Sequence, residues 1–169
     1  DLVNPRLTFE QTDLIYLNDG SGHFADVSSS VGAALAAPGV GRAVAVGDID
    51  GDVDLDVLVT HNDRPAVLLR NDAARRGRAL ALDLRSRHGG RPAVGARVTV
   101  RGGGRVWVRE LMAGGTYQGQ HGHLVHVGLG DVDGVDEVVV RWPEGEVETL
   151  AGAAVTLDAV TRIEQAAAP

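Results

Sequence analysis

The sequence contains no cysteine and no lysine. Without cysteine there are no disulfides and no thiolate metal ligands, and cysteine usage leaves the redox compartment open. All 16 basic residues are arginine, which excludes a Schiff-base lysine and a Walker-type phosphate lysine. Aromatic residues make up only 4% of the chain, too few for a platform that stacks nucleic-acid bases. No apolar run approaches the roughly 18 residues that a membrane-spanning helix needs. What is present is a chain of 169 residues, 44% hydrophobic and 23% charged, a size and composition suited to one ordinary domain or two small ones. Glycine is abundant at 23 residues, which points to many turns. The opening Asp1-Leu2-Val3-Asn4-Pro5-Arg6 has no initiating methionine and no signal-peptide pattern. It reads as the interior of a longer protein.

The net charge of −7 is unevenly distributed. Residues 1–63 carry −9, residues 64–110 carry +9, and residues 111–169 carry −7. The acidity is therefore local, and five aspartates fall within the nine residues 48–56.

Short apolar or alternating runs are separated by turn residues at intervals of about ten, the signature of an all-β chain. Strands are expected at 14–17 and 24–27, joined by the turn Asn18-Asp19-Gly20-Ser21-Gly22. Further strands are expected at 43–46 and 55–60 on either side of the aspartates, and at 66–70. After the polar stretch 71–77, strands are expected at 79–84, 96–101, 106–111, 124–127, 137–142 and 147–150. A last apolar run leads to Thr161-Arg162-Ile163-Glu164. Gly102-Gly103-Gly104 reads as a hairpin turn, and 33–37 as a single helical turn stopped by Pro38-Gly39. The division is expected to give residues 1–72 and 73–169 as two units.

The segment Asp48-Ile49-Asp50-Gly51-Asp52-Val53-Asp54-Leu55-Asp56 places carboxylates at every second residue, where they repel one another unless a cation joins them. Calcium takes six to eight oxygens and tolerates irregular geometry. Asp48, Asp50, Asp52 and Asp56 occupy positions 1, 3, 5 and 9 of such a loop, and Asp54 would supply its carbonyl at position 7. This is not an EF-hand: Val59 stands at the position of the bidentate glutamate, and the flanks read as strands. Val53 stands where such loops carry glycine, so the turn must differ locally or be strained, because β-branched residues avoid positive φ. Magnesium keeps more waters and fits less well, and the flanking strands make a structural role the expected one.

These residues carry a resemblance. Leu17-Asn18-Asp19-Gly20-Ser21-Gly22-His23-Phe24-Ala25-Asp26-Val27-Ser28, followed by Ala43-Val44-Ala45-Val46-Gly47-Asp48 and the aspartate loop, resembles an FG-GAP/VCBS-type repeat. The later segments Val94-Gly95-Ala96-Arg97-Val98-Thr99-Val100, Val108-Arg109-Glu110, Ala113-Gly114-Gly115-Thr116-Tyr117, His126-Val127-Gly128-Leu129-Gly130 and Val138-Val139-Val140-Arg141-Trp142-Pro143-Glu144-Gly145 resemble the ASPIC/UnbV domain. The resemblance implies a partial β-propeller blade with a calcium loop, followed by a C-terminal β-sandwich-like domain. Val53, and Val127 where the family often has phenylalanine, depart from the pattern. The family includes cartilage acidic proteins and bacterial members associated with enediyne antibiotic pathways, and it implies a fold more than an activity. A propeller closes with about four to eight blades, so the resemblance implies that missing blades of the same protein, or a partner chain, cover the exposed edges and apolar face.

Other motifs weigh less. His123 and His126 are three apart on an expected strand, so they point to opposite faces and do not share a zinc ion with His121. His126 reads as a structural, hydrogen-bonding histidine. The arginines between 64 and 109 read as a solvated sheet face directed at the acidic first unit. With so few aromatics and net acidity, they do not make a nucleic-acid site. Asp131-Val132-Asp133-Gly134-Val135-Asp136 reads as a turn, and Gly114-Gly115-Thr116-Tyr117 as a surface motif. No catalytic constellation is visible. The first expectation is a non-enzymatic, calcium-binding, propeller-associated interaction module. The alternative is a bacterial natural-product protein of the enediyne type, an enzyme or small-molecule binder, favoured if a deep pocket lies between the two units. The calcium loop favours an extracellular or periplasmic setting, and a biosynthetic role a cytoplasmic one.

Overall fold

The computed structural model describes residues 8–74 and 77–167. The opening segment 1–7, and Arg75 and Arg76 of the expected linker, lie outside the described residues. The architecture is all-β, as the alternation and turn spacing imply. Among the described residues the helical pieces are three-residue 3-10 turns, one of them at Ala33–Leu35 ahead of Pro38-Gly39.

The first part begins with an antiparallel hairpin of β1 (Tyr16–Asn18) and β2 (Phe24–Asp26), in which Asn18 lies opposite Phe24. Asn18 forms the turn through its side-chain oxygen, which accepts the Gly20 N–H at 2.7 Å. A second sheet holds β3 (Gly41–Gly47), β4 (Asp56–His61) and β5 (Val67–Leu69) in that order. The aspartate segment is the connection from β3 to β4, with Gly47 and Asp56 as their last register pair.

The second part packs two sheets face to face. One is β12 (Val160–Glu164), β6 (Arg78–Arg85) and β9 (Leu124–Gly130); the other is β11 (Val147–Ala151), β10 (Glu137–Arg141), β7 (Arg97–Gly102) and β8 (Arg105–Glu110). Strand alternation sends Leu80, Leu82 and Leu84 of β6, Val125, Val127 and Leu129 of β9, Val98 and Val100 of β7, and Val138 and Val140 of β10 into one core. Each fully buried leucine or valine stabilises the fold by about 1.5–3 kcal/mol. The β7–β8 hairpin turns at the expected glycines, with Gly102 opposite Arg105.

Strand β6 is apolar on both faces. Its leucines fill the sandwich, while Ala79 and Ala81 on the opposite face are also buried and cluster with Val53 of the aspartate loop. Small residues on that face let the loop approach the sheet closely.

Two expectations need correction. The basic stretch is directed at the acidic first part only at its start, where Arg64 lies 3.5 Å from Asp13 and Arg70 3.9 Å from Asp50. Further along, Arg101 pairs with Glu137 at 2.7 Å and Arg105 with Asp131 at 2.8 Å, both acids of the sandwich itself. Cross-strand neighbours at short range offer a shorter path to neutralisation than a separate sheet does. The expected open edge of the blade is also partly closed by this same chain. Along β3, Thr116 Oγ1 donates to the Val44 carbonyl at 2.7 Å and the Gly122 N–H to the Val46 carbonyl at 3.0 Å. The Val46 N–H donates to His121 Nδ1 at 3.2 Å. An added Cβ at Gly119 would stand 3.1 Å from the Ala43 Cβ, so glycine lets this segment lie against the strand. Thr116, expected on a surface motif, is therefore a tie between the two parts.

Candidate metal centre

Antiparallel pairing of β3 with β4 brings Asp48 and Asp56 together at the root of the connection, and the loop folds Asp50 back toward them. Carboxylate oxygens of Asp48, Asp50 and Asp56 lie within 4.8 Å of one another, and the three could hold one metal ion. Asp52 and Asp54 lie outside that trio; an Asp52 oxygen accepts the Asp54 N–H at 2.8 Å within the loop.

The trio is held in place by backbone donors. Asp48 Oδ1 accepts the Gly51 N–H at 2.7 Å and Oδ2 the Val53 N–H at 2.9 Å. Asp56 is 2% exposed; its Oδ1 accepts the Asn71 N–H and its Oδ2 the Ile49 N–H, each at 2.8 Å. The Asn71 hydrogen bond, then that of Ile49, holds the Asp56 carboxyl below its ordinary value, with a smaller contribution from the Arg70 charge. Asp50 is the outermost member, with Arg70 Nε at 3.9 Å and Arg70 itself closer to Asp72, at 2.8 Å.

The donor set fits a hard cation. All three groups offer oxygen, and each carboxylate oxygen engaged by one N–H retains a lone pair for a metal. Three negative charges at this separation repel one another, and the Arg70 charge offsets only part of that repulsion.

Val53 adopts φ 71°, the left-handed conformation that the glycine consensus implies, although it is β-branched. Its side chain is 3% exposed, and its carbonyl accepts a hydrogen bond from His126 Nε2 at 2.9 Å. A carbonyl only accepts, so His126 carries a proton on Nε2. His126 is thus the structural, hydrogen-bonding residue anticipated. His121 instead faces β3, and His123 bonds Gln120 at 2.6 Å; the three histidines do not converge.

Sequence reasoning did not find Asn71. The signal was available: Asn71-Asp72 repeats Asn18-Asp19, and Asn71 likewise accepts the N–H two residues on, from Ala73 at 3.3 Å. A cleft of about 400 Å³ lies beside the loop, between the two parts, lined by Val46, Leu55, Leu111, Met112 and Leu124 with Arg109 at its edge. No helix among the described residues is long and apolar enough to cross a membrane.

Comparison with known proteins agrees with this arrangement. The family model for an FG-GAP-like repeat matches residues 4–59, and the model named ASPIC and UnbV matches residues 86–169. No curated protein matches the chain. With a propeller-type repeat bearing the aspartate loop and a sandwich docked against it, the chain is an FG-GAP-like repeat joined to an ASPIC and UnbV domain, a β-propeller-associated interaction module.

Proposed function

We propose that this module is non-enzymatic, is stabilised by calcium in the aspartate loop, and associates through its FG-GAP part with further blades of the same kind. The unit boundary is placed between residues 72 and 73. The observation that carries the association is a contrast in burial. The sandwich has one large buried core, although Val106, Tyr117 and Val147 on it are exposed, whereas the first part buries few apolar side chains and leaves Phe9, Leu14, Tyr16, Leu17 and Phe24 53–78% exposed. Apolar surface of this kind marks an interaction site, and neighbouring propeller blades bury just such faces.

The ligands proposed for calcium are Asp48, Asp50 and Asp56 from the clustered trio, with Asp52 and Asp54 from the same loop. When bound, the ion supplies charge neutralisation and a tie between the ends of β3 and β4. Two measurements test the reading. Calorimetric titration with calcium should give one saturable site, and its absence would remove the metal. Light scattering should show concentration-dependent association that Leu17→Ser with Phe24→Ser abolishes, and a monomer at high concentration in the unaltered chain would refute the docking face.

A second reading, a natural-product protein of the enediyne type that binds a small molecule, is favoured by the cleft between the two parts. Its volume and mainly apolar lining are in the range of small-molecule sites. An apolar fluorescent dye such as N-phenyl-1-naphthylamine should bind saturably. Gly114 lines the cleft and an added Cβ there meets nothing within 4 Å, so Gly114→Leu should fill it and displace the dye. Unchanged dye binding in that variant would remove the cleft as the binding place.

A further inference from the structure

We infer that cation binding in the aspartate loop and docking of the ASPIC and UnbV domain are one linked equilibrium, with Val53 as the shared residue and His126 as the positioning residue. The inference rests on the calcium reading above. Every part of Val53 is committed, and the commitments come from both sides. The Asp48 carboxylate of the blade takes its N–H. Ala79 and Ala81 of the sandwich cover its side chain, and His126 of the sandwich holds its carbonyl.

A β-branched residue in the left-handed region persists only where its surroundings over-determine it. Here neither part does so alone. The blade fixes the nitrogen side of Val53, and the sandwich fixes the carbonyl and the side chain. Asp48 belongs to the carboxylate trio as well, so the group that presents an oxygen to a cation also orients Val53 for docking. Seating Val53 against β6 and β9 therefore pre-orders Asp48, and a cation that draws Asp48 into place pre-orders Val53. By linkage each event strengthens the other by the same factor. His126 sits in β9 beside Ala81 of β6, its register partner, so its imidazole is carried by the rigid sheet rather than by the loop.

The test uses the full 169-residue chain and calcium alone as the titrant. His126→Leu removes the hydrogen bond to the Val53 carbonyl without touching a carboxylate. Calorimetry should show calcium binding about tenfold weaker, equal to about 1.4 kcal/mol. His126→Gln keeps an amide donor of similar reach and should recover most of that loss. In the unaltered chain, calcium should shift the amide resonances of Ala79 and Ala81, which lie in the other domain. Equal affinity in His126→Leu overturns the linkage while leaving the calcium site standing. Equal weakening by Leu and Gln overturns the role given to the imidazole. Unmoved Ala79 and Ala81 resonances at saturation overturn the coupling even if His126→Leu fails to fold. No calcium binding in the unaltered chain overturns the calcium reading itself, and the linkage with it.

Discussion

Replacing Val53 by alanine and by glycine makes a sharp test of the loop. At an ordinary buried position glycine is worse than alanine, because it buries less surface and gains more freedom when unfolded. Val53 is 3% exposed but sits at φ 71°, and that cancels the difference. Val53→Ala removes two buried carbons, worth about 0.8 kcal/mol each. It keeps a Cβ in the left-handed region, so the strain stays. Val53→Gly removes three such carbons and costs about 0.4–1 kcal/mol more through the greater freedom of the unfolded chain. It also relieves about 1–2 kcal/mol of left-handed strain. The two variants should therefore be destabilised equally, each by about 1.5 kcal/mol, or a few degrees in melting temperature for a chain of this size. Urea unfolding in chelator isolates this effect from any cation. If glycine proves more than 1 kcal/mol worse than alanine, Val53 is not held in the left-handed conformation, and the account of the loop fails.

Further outcomes follow from the same geometry. Asp56→Asn should destabilise the chain even in chelator, by about 1–3 kcal/mol, because an amide offers one oxygen where Asp56 accepts two backbone N–H groups. Asp50→Asn should lower the melting temperature only when calcium is present, and equal effects with and without chelator would exclude a metal at this residue. Gly152→Ala should be strongly destabilising in a thermal melt, because its Cβ would overlap the Val135 carbonyl, a backbone atom. Acid should weaken the sandwich through Glu146 and Glu144. Glu146 is held below its ordinary value of 4.5 first by Arg87 and then by Gln165; Glu144 is held below the same value first by its own backbone N–H and then by Gln165. Groups depressed in the folded state contribute stability above the unfolded value and lose it as pH falls through the folded one. Melting temperature should therefore drop below pH 4.5, and the drop should be shallower in Glu144→Gln with Glu146→Gln.

The strand pattern was legible because it depends on local chemistry. Alternation at 96–101 and 137–142, and turns such as Asn18-Asp19-Gly20, act over a few residues. The family motifs were legible for the same reason. The position of Val53 as a conflict with the loop's geometry could also be read directly, since a β-branched residue stands where glycine is preferred. The two-sided apolar pattern Ala79-Leu80-Ala81-Leu82 was in plain view as well, but composition alone does not say what covers the alanine face.

Tertiary structure decided what the local pattern could not. Five aspartates in nine residues marked a loop that could hold a cation, yet which carboxylates converge depends on the pairing of β3 with β4 and on donors as distant as Asn71. The partners of the arginines depended on which strands became neighbours: β10 beside β7 gave Arg101 its acid at Glu137. The edge of β3 was closed by Thr116, His121 and Gly122, more than 70 residues further along the chain. By itself, then, the sequence determined the all-β class, the family and the acidic loop, because each is written in residues close together. Only the folded chain decided how that loop is braced, because the residues that brace it meet only when the two parts dock.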